Sequence, residues 1–524
     1  MKQENLLYAF SQFARYQPQR IVISVGEYEY CYDQLLKKVQ KISGWIASLS
    51  LPSESRVGVF TQRDFLGYAA VYACVWAGVT YVPLNPKLPI DRLKKIIKCA
   101  QLSAIITEKD NIGVVNDIVG PSCELDFLSI DSGSGQDDFI SWSGIDDLKT
   151  LEILEKPAVV NPNTGAYLMF TSGTTGEPKG ILATVANLQH YLDYMQRRYH
   201  ITPNDRLSQL FELSFDASTF DLFMSVNHGA SFHTVPDNQL LAPGVFIQNK
   251  VLTLWFGVPS NIAYMHKMRL LKPNCFPDLR ISIFGGEPMP QTSMQAWHAA
   301  APNTVLDNVY GPTEATVTCF MQRCNDSTSV TKERGVMSIG IPYDGMLGAI
   351  VDANGKFISV GEKGELLIAG PQLTPGYWQD DDLAQARFCS MEHPIHGTLR
   401  WYFTGDLAIE DENGIFHHLG RIDNQIKVSG HRVELEEIDS VLRDVAKTNT
   451  VAAVPWLVEH GSARGVVAFI CQSEIEISEI RELIQMQLPA YMVPRQIITM
   501  DTLPYTLNGK VDRKALVKLL EERM

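Results

Sequence analysis

The sequence lacks the signatures of several protein classes. No run of about 18 uncharged apolar residues is present that could cross a bilayer. The N-terminus also has no apolar core of the kind that secretion signals carry. The nine cysteines are scattered without a CxxC pair or a complete set of zinc ligands, which is typical of free thiols in a reducing compartment. We therefore expect a cytoplasmic protein with no membrane partner.

Positively charged residues are fewer than negatively charged ones. The chain has 45 lysines and arginines against 59 aspartates and glutamates, so its net charge is −14. Nucleic acids and anionic membranes are bound through a surplus of Lys and Arg, and we expect neither as the main partner. At 524 residues, 45% of them hydrophobic, the chain is long enough for about three or four folding units of a globular protein.

A Walker A loop is missing, although a glycine-rich loop is present. Residues 171–180 read "TSGTTGEPKG" and follow the apolar run "AYLMF". Counted from Gly173, the second glycine of GxxxxGK[ST] would fall on Pro178, and counting from Gly176 also fails. Backbone N–H groups, hydroxyls and the Lys179 ammonium can nevertheless surround a phosphate. A mobile surface turn is the alternative interpretation of this loop on its own.

Short apolar runs alternate with helical patterns over roughly the first 420 residues. The runs "RVGVF", "AIIT", "AYLMF", "LTLWFGV" and "RISIF" predict buried, largely parallel strands of an α/β protein. A helix is predicted in "VANLQHYLDYMQRRYH", with Thr184 as its N-cap. From about residue 340, glycine-punctuated strands predict a β-rich subdomain. The last hundred residues mix helices and strands, and a domain boundary is expected near "GRIDNQIKVSG".

Eight motifs along the chain together resemble the ANL superfamily of adenylate-forming enzymes. The likeness is greatest to amino-acid adenylation domains of nonribosomal peptide synthesis. It implies a large N-terminal domain, made of two α/β subdomains and a β-rich subdomain, and a small mobile α+β C-terminal domain. The motifs stand in the family's order: "WAGVTYVPLNP" (76–86), "TSGTTGEPKG" (171–180), "FELSFDASTFD" (211–221), "NVYGPTEAT" (308–316), "GELLIAGPQLTPGYW" (364–378), "YFTGDL" (402–407), "GRIDNQIKVSGHRVELEEID" (420–439) and "LPYTLNGKVDR" (503–513).

The resemblance implies an ATP site. A carboxylate oxygen must attack the α-phosphorus of ATP, so the site has to screen phosphate charge, hold Mg²⁺ and stabilise the transition state. The ATP-binding residues implied by the family are Thr171, Ser172, Gly173, Thr174, Thr175, Gly176, Lys179, Gly286, Asn308, Tyr310, Gly311, Thr313, Asp406, Arg421 and Lys510.

Four of the residues implied by the family carry distinct roles. Glu314 would be the Mg²⁺ ligand. Asp406 would accept hydrogen bonds from both ribose hydroxyls, supported by Arg421. Lys510 would be the catalytic residue that bridges the substrate carboxylate and the α-phosphate. Taken singly, each could be an ordinary surface residue, but the order and spacing of the motifs favour the functional interpretation.

A hinge is implied at Asp423, which divides the chain into domains of residues 1–422 and 423–524. Lys510 must leave after the first half-reaction so that a thiol can reach the same carbonyl. The nearby "HHLG" begins like the HHxxxDG signature of condensation domains, but Ile422 stands where that signature needs aspartate. We therefore predict structural roles for His417 and His418.

Asp216 matches the aspartate that pairs with the substrate α-ammonium in amino-acid-specific members of the family. A buried carboxylate needs a cationic partner, which an aryl or fatty acid does not supply. This residue favours an amino acid over the alternative of an acyl- or aryl-CoA synthetase. A helix-capping aspartate is the structural alternative.

The side-chain pocket implied by the family is almost entirely apolar, which predicts valine, isoleucine or leucine as substrate. D-alanine, as in D-alanine:carrier-protein ligases, would fit loosely and is the second choice. The chain contains no GGxS serine for a phosphopantetheine arm, so we expect the acceptor thiol on a separate carrier protein. With Asp216 at its polar end, the pocket is lined by Ala217, Phe220, Phe256, Ile283, Gly285, Val309, Val317 and Thr318.

Overall fold

The computed structural model describes most of the chain. No helix in the described ranges is long and apolar enough to cross a membrane. These ranges are residues 5–52, 54–120, 124–136, 140–148, 152–173, 177–324, 330–428, 430–459, 462–505 and 511–522.

Most strands in the first two thirds of the chain are short and buried, as their apolar, β-branched composition predicts. They are β1 (Ile21–Val25), β2 (Tyr28–Cys31), β3 (Arg56–Phe60), β4 (Thr80–Leu84), β5 (Ala104–Thr107), β6 (Asp126–Ser129), β7 (Gly135–Gln136), β8 (Ser141–Gly144), β9 (Gly165–Thr171), β10 (Lys179–Thr184), β11 (Arg206–Gln209), β12 (Ser231–Thr234), β13 (Leu254–Gly257), β14 (Ile281–Phe284), β15 (Val305–Tyr310), β16 (Phe320–Arg323), β17 (Val330–Thr331), β18 (Val336–Met337) and β19 (Ile341–Pro342).

The later strands include longer ones that pair mostly as antiparallel neighbours. They are β20 (Leu347–Val351), β21 (Lys363–Ala369), β22 (Phe388–His393), β23 (Gly397–Glu410), β24 (Phe416–Arg421), β25 (Gln425–Val428), β26 (His431–Glu434), β27 (Val451–Glu459), β28 (Ser462–Cys471) and β29 (Gln496–Met500).

The helices follow the predicted amphipathic stretches. Thr184 caps the sixth helix as predicted, because its hydroxyl accepts the Asn187 N–H at 3.2 Å. The helices are α1 (Tyr8–Tyr16), α2 (Tyr32–Ser48), α3 (Phe65–Ala77), α4 (Ile90–Ala100), α5 (Ile112–Val119), α6 (Val185–Tyr199), α7 (Ser218–Asn227), α8 (Gly244–Asn249), α9 (Pro259–Lys267), α10 (Gln291–Ala300), α11 (Asp381–Arg387), α12 (Leu435–Ala446), α13 (Ile477–Gln485) and α14 (Arg513–Glu521).

Two mainly parallel sheets form the two α/β subdomains. Sheet I has the strand order β19-β16-β15-β14-β13-β11-β12-β1-β2, and sheet II has the order β10-β9-β4-β3-β5-β6-β8-β7. In sheet I, β1 and β11 to β15 run parallel, so their carboxyl ends meet at one edge. In open α/β sheets that edge is where ligands bind.

Helix α3 is buried between the two subdomains. Its sequence "FLGYAAVYACVWA" has no charged residue, and every position from Gly67 to Trp76 is buried, as expected for a helix that is apolar all round. The Tyr72 hydroxyl crosses to the other subdomain and donates to the Leu222 carbonyl at 2.8 Å. The two sheets therefore share one hydrophobic core.

β17 and β18 form a separate two-stranded sheet. The strands from β20 onward form the predicted β-rich subdomain and the small domain. Sheet III has the order β20-β21-β23-β22, with β24 also paired to β23, and sheet IV has β26-β25-β28-β27, with β29 paired to β28. Helices α12 and α13 cover sheet IV with a separate core.

The predicted fold class is confirmed by this architecture, with one local difference. The sequence pattern predicted helix throughout "EISEIRELIQMQLPAYM", but α13 ends at Gln485. Pro489 follows four residues later and cannot continue a helix, because it has no N–H and clashes with the preceding turn.

Candidate active site

The candidate site lies at the edge where the parallel strands of sheet I end. The segment 311–318 leaves β15 there, and its short 3₁₀ turn Thr313–Ala315 carries Glu314 into the interior, where it is 1% exposed. A buried carboxylate needs partners that compensate its lost hydration.

The backbone directly after Glu314 is strained. Thr316 and Val317 have φ angles of +55° and +68°, a region that β-branched residues rarely occupy. The buried Gln372 amide holds this turn by donating to the carbonyls of Ala315 at 3.2 Å, Thr316 at 3.2 Å and Thr318 at 2.8 Å. Strained backbone persists only where its surroundings fix it in this way, and such places cluster at functional sites.

Arg432, Tyr377 and Tyr402 contact the Glu314 carboxylate. Arg432 Nη1, from the small domain, lies 3.1 Å from Oε1 and 3.0 Å from Oε2. The Tyr377 hydroxyl donates to Oε1 at 2.8 Å. Burial raises the pKa of Glu314, but the Arg432 charge and the Tyr377 hydroxyl outweigh this effect, so the pKa lies below its ordinary value. Glu314 is therefore ionised at neutral pH.

Asp406 is the centre of a second charged cluster. The Tyr310 hydroxyl donates to its Oδ2 at 2.5 Å, Arg421 Nη1 donates to Oδ1 at 3.0 Å, and His418 Nε2 lies 3.1 Å from Oδ1. Asp406 and Arg421 are also register partners on β23 and β24. Burial opposes ionisation, yet the charges of His418 and Arg421 hold the pKa of Asp406 well below its ordinary value.

The glycine-rich loop connects β9 to β10 beside this edge. A Cβ on Gly173 would lie 2.0 Å from the Glu177 carbonyl oxygen, so the tight turn of the chain requires glycine at this position. Burial lowers the pKa of Lys179. Thr171 and Ser172 are also described, whereas three predicted phosphate-binding residues lie outside the described residues, namely Thr174, Thr175 and Gly176.

Further predicted ATP-binding residues lie on or after β14 and β15. Asn308 donates its amide to the Ser338 carbonyl at 2.8 Å, while its Oδ1 is buried and accepts no hydrogen bond from the described residues. A Cβ on Gly311 would lie 2.4 Å from the Thr318 Cα, so only glycine fits there. Gly286, with φ of +78°, and Thr313 lie at the same edge.

Several of the predicted apolar lining residues are neighbours in the core of the large domain. Phe220, Phe256, Ile283, Val309 and Val317 belong to one buried cluster. The ring centroids of Phe220 and Phe256 lie 5.5 Å apart, with an interplanar angle of 83°.

Backbone geometry shapes this lining. Phe256 and Ile283 are register partners on β13 and β14, so their side chains share one face of sheet I. A Cβ on Gly285 would lie 2.7 Å from Val309 Cγ2, so glycine leaves room at this point. Ala217 packs against the same cluster.

Asp216 is half-buried, and one oxygen of its carboxylate lies in the interior. Its Oδ2 has no hydrogen-bond partner among the described residues. Burial raises the pKa of Asp216, while the Thr313 hydroxyl, backbone N–H groups and the Lys427 charge act in the opposite direction. The N-cap position of α7 belongs to Ala217, so Asp216 does not occupy the cap position that was the structural alternative.

Polar groups that were not among the predicted lining residues also lie near the pocket. Burial and the nearby Asp216 charge raise the pKa of Tyr81, Tyr167 and Tyr191. The hydroxyls of Tyr81 and Tyr167 are buried and make no hydrogen bond within the described ranges, while the Tyr191 hydroxyl lies beside Thr318. Thr318 Oγ1 lies 2.7 Å from the Tyr343 hydroxyl. The interior behind Asp216 is therefore less uniformly apolar than the sequence indicated.

Several residues that shape the site were not singled out from the sequence as functional. His418, for which a structural role was predicted, contacts Asp406. Arg432 and Gln372 lie within recognised motifs, yet nothing in their local sequence shows that they contact Glu314 or hold the strained turn. Lys510, the predicted catalytic residue, lies outside the described residues.

Comparison with known proteins identifies the family. A model of AMP-binding enzymes matches residues 10–378. The chain belongs to this family of AMP-binding enzymes. The predicted ANL resemblance is thereby confirmed.

Relatives of the chain are found among peptide synthases. Tyrocidine synthase 1 of Brevibacillus parabrevis is 28% identical over 97% of this chain and 44% of its own length. Gramicidin S synthase 1 of Brevibacillus brevis is also 28% identical, over 97% of this chain and 44% of its own length. The chain thus spans less than half the length of these relatives.

Solved structures support the same assignment. The adenylation domain AlmE of Vibrio cholerae, solved in complex with glycyl-adenosine-5'-phosphate, superposes with a TM-score of 0.86 at 27% identity, covering 99% of this chain and 98% of that chain. The crystal structure of IdnL7 superposes with a TM-score of 0.73 at 28% identity, over 99% of both chains.

The described residues fit magnesium and ATP. Glu314 supplies one hard, ionised carboxylate ligand, because its pKa lies below the ordinary value. This is the donor set expected for Mg²⁺, which is usually bound through one or two carboxylates together with substrate phosphates. The open Oδ1 of Asn308 is an acceptor of the kind that an adenine amino group requires.

We expect Gln372→Ala to damage the site through the strained turn. The substitution leaves three buried carbonyls without their donor, at about 1–3 kcal/mol for each unsatisfied group. The apparent melting temperature should fall, and the KM for the carboxylate substrate should rise more than the KM for ATP.

Thermal unfolding and steady-state adenylation kinetics would measure both effects. Gln385→Ala, at an exposed position of α11, is the matched control and should resemble the wild type. If Gln372→Ala behaves like this control in both measurements, the amide does not hold the turn.

Proposed function

We propose that the chain activates an amino acid with ATP to give an aminoacyl-adenylate and pyrophosphate, and then transfers the aminoacyl group to the phosphopantetheine thiol of a carrier protein. The observation that carries this proposal is the buried Oδ2 of Asp216, which has no hydrogen-bond partner in the described residues. A substrate α-ammonium supplies both the charge and the donor that this oxygen needs. An aryl or fatty acid supplies neither, which counts against an acyl- or aryl-CoA synthetase.

ATP would be held at the edge of sheet I. In this assignment the glycine-rich loop donates to the β- and γ-phosphates, while Asp406 accepts from the ribose hydroxyls. Glu314 holds Mg²⁺, which neutralises phosphate charge when it is bound. Arg421 keeps Asp406 ionised and in place through the contact at 3.0 Å.

Bond formation requires little covalent chemistry from the protein. A substrate carboxylate oxygen attacks the α-phosphorus, and the bond to the bridging oxygen breaks as pyrophosphate leaves. Asp216 orients the amino acid through its ammonium group. Lys510 stabilises the charge that develops between the carboxylate and the α-phosphate.

Thioester formation would use the second orientation of the small domain. In this step the thiol sulfur attacks the acyl carbon of the adenylate and AMP leaves. Asp423 is assigned as the hinge between residues 1–422 and 423–524. It lies between β24 and β25, and its carboxylate accepts hydrogen bonds from Arg421 at 2.9 Å and 2.6 Å. A change of backbone angles at this point would rotate the small domain. The rotation would move Lys510 away from the acyl carbon and let the thiol reach it.

The substrate that best fits the lining is valine, isoleucine or leucine. The Phe220–Phe256 ring pair narrows the pocket, whereas Ala217 and Gly285 leave room, which favours a medium aliphatic side chain over an indole. D-alanine would leave part of the pocket unfilled and ranks second. We also propose that the acceptor is a separate carrier protein and that the protein is located in the cytoplasm.

An exchange assay tests the proposed function. Amino-acid-dependent exchange between ATP and pyrophosphate should be greatest with valine, isoleucine or leucine. Neighbouring aliphatic amino acids should retain activity, because one methylene discriminates by only about 1–3 kcal/mol. The set should include both chiral forms, D-alanine, lysine, asparagine and benzoate. A profile led by a charged, amide-bearing or aryl acid would contradict the proposed substrate.

Lys510→Ala should nearly abolish adenylate formation while ATP binding and folding change little. The lysine contact is made mostly in the transition state, and loss of such a donor costs about a hundredfold or more in kcat. Thiol transfer from preformed adenylate should be much less affected. Lys514→Ala, exposed on α14, is the control. Exchange activity of Lys510→Ala within about threefold of the wild type would show that the assigned role is wrong.

Asp216→Asn should raise the KM for the amino acid at least about a hundredfold, since loss of one partner of a buried charge pair costs about 3–5 kcal/mol. The KM for ATP should stay nearly constant. Initial rates with each substrate varied in turn would measure both values, with Asp193→Asn on the exposed face of α6 as control. Equal losses for both substrates would mean that the site had collapsed instead.

A further inference from the structure

One face of helix α6 contacts the residues that hold the strained turn after Glu314. The members of this face are Asn187, His190, Tyr191 and Tyr194. They are spaced at i, i+3, i+4 and i+7, which places their side chains on the same side of a helix. A helix is a rigid element, so contacts made from one of its faces keep a fixed geometry relative to one another.

The polar part of this face binds the segment that carries Gln372. Asn187 Nδ2 donates to the Pro371 carbonyl at 2.7 Å and to the Leu373 carbonyl at 3.1 Å. His190 Nδ1 lies 3.1 Å from Gln372 Oε1. Helix α6 therefore fixes the backbone on both sides of Gln372 and also contacts its side chain.

The aromatic part of the same face lies against Thr318, one of the predicted pocket residues. The Tyr191 hydroxyl lies beside Thr318. The Tyr194 ring stacks on the Tyr343 ring, with centroids 3.9 Å apart and an interplanar angle of 11°. The Tyr343 hydroxyl in turn lies 2.7 Å from Thr318 Oγ1. The helix thus meets the turn twice, through Gln372 and through Thr318.

The other partners of Gln372 determine the direction of its bond with His190. Three backbone carbonyl oxygens lie within 3.2 Å of Nε2, so the amide nitrogen must be on that side, because Oε1 there would face only other acceptors. Oε1 is then the atom next to the imidazole, and it can only accept. His190 must therefore carry a proton on Nδ1.

His190 connects a buried amide to the surface. Gln372 is 0% exposed, whereas His190 is half-buried. On the other side of the ring, a Cβ at Gly345 would lie 3.1 Å from His190 Nε2, so glycine leaves the imidazole room in this orientation. Loss of the Nδ1 donor would leave a buried acceptor without its partner, which is costly.

We propose that His190 is a positioning residue for the substrate pocket, because its Nδ1–H fixes the Gln372 amide that holds the turn. The inference rests on the proposed function, since that function assigns Val317 and Thr318 of this turn to the substrate side chain. The effect of His190 on the substrate passes through Gln372. A pocket wall that is held less firmly discriminates less well between side chains that differ by a methylene or two.

Three substitutions at this one position test the proposal. His190→Asn keeps a donor at the place of Nδ1, His190→Gln moves the donor to the place of Nε2, and His190→Ala removes both. In the Gln and Ala variants, the KM for the preferred amino acid should rise about three- to tenfold, the range expected for residues that act through intervening contacts. The kcat/KM ratio of the preferred amino acid over the second-best one should fall. His190→Asn should resemble the wild type.

Amino-acid-dependent exchange between ATP and pyrophosphate by the full chain measures these values, with each substrate varied in turn. The KM for ATP and kcat should stay within about twofold of the wild type, and melting temperatures report whether each variant is folded. His266→Ala, at an exposed position of α9, is the matched control and should behave like the wild type.

The outcomes separate this inference from the proposed function. Wild-type KM and selectivity in His190→Ala would overturn the inference, and so would a loss in His190→Asn as large as that in His190→Ala. In either case the proposed function would stand. A wild type without any amino-acid-dependent exchange would contradict the proposed function, and this inference with it.

A double variant tests whether His190 acts through Gln372. Changes at residues that act through one another are not additive. In the Gln372→Ala background, His190→Ala should therefore change the KM for the amino acid by less than about twofold. If the two effects multiply instead, His190 acts by another route and the proposal is wrong.

The position of the ring proton can be measured in the unaltered protein, which does not depend on the folding of variants. Proton–nitrogen correlation spectra of isotope-labelled histidine distinguish a protonated from a bare ring nitrogen. The His190 signals are those that disappear in His190→Asn. At about pH 9, where imidazoles are neutral, His190 should carry its proton on Nδ1. A proton on Nε2 with Nδ1 bare would contradict the proposal.

Discussion

Three carboxylates with buried oxygens at the edge of sheet I impose the main physical constraint on this protein, because a desolvated negative charge needs a compensating partner. The three residues solve the problem differently. Asp406 has permanent partners in Arg421 and His418. Glu314 is compensated by an arginine of the small domain, and Asp216 has one oxygen with no partner in the described residues. The unpartnered oxygen of Asp216 is the one that suits a cationic substrate.

The small domain is therefore part of the electrostatic balance of the site. Lys427, Arg432 and Glu437 come from a domain with its own core, yet they face charges of the large domain. Burial lowers the pKa of Lys427, partly opposed by Asp406 and Asp216.

Rigid parts of the large domain hold the remaining groups. Helix α3 joins the two sheets in one core, and the register of β13, β14 and β15 aligns the pocket residues on one sheet face. The strained turn at Thr316 and Val317 is fixed by the Gln372 amide. A buried hydrogen-bond donor thus fixes the backbone between Glu314 and Thr318.

The sequence by itself determined the fold class, the glycine-rich loop and most of the candidate site, because hydrophobic period, glycine placement and motif order are local properties of the chain. It singled out Glu314, Asp406 and Asp216 as candidates but not their partners. Only the tertiary structure decided that Arg432 contacts Glu314, that His418 contacts Asp406 and that Gln372 holds the turn after Glu314. It also placed Tyr81, Tyr167 and Tyr191 near Asp216. These contacts join residues far apart in sequence, so they depend on how sheets and domains pack, which no local pattern encodes.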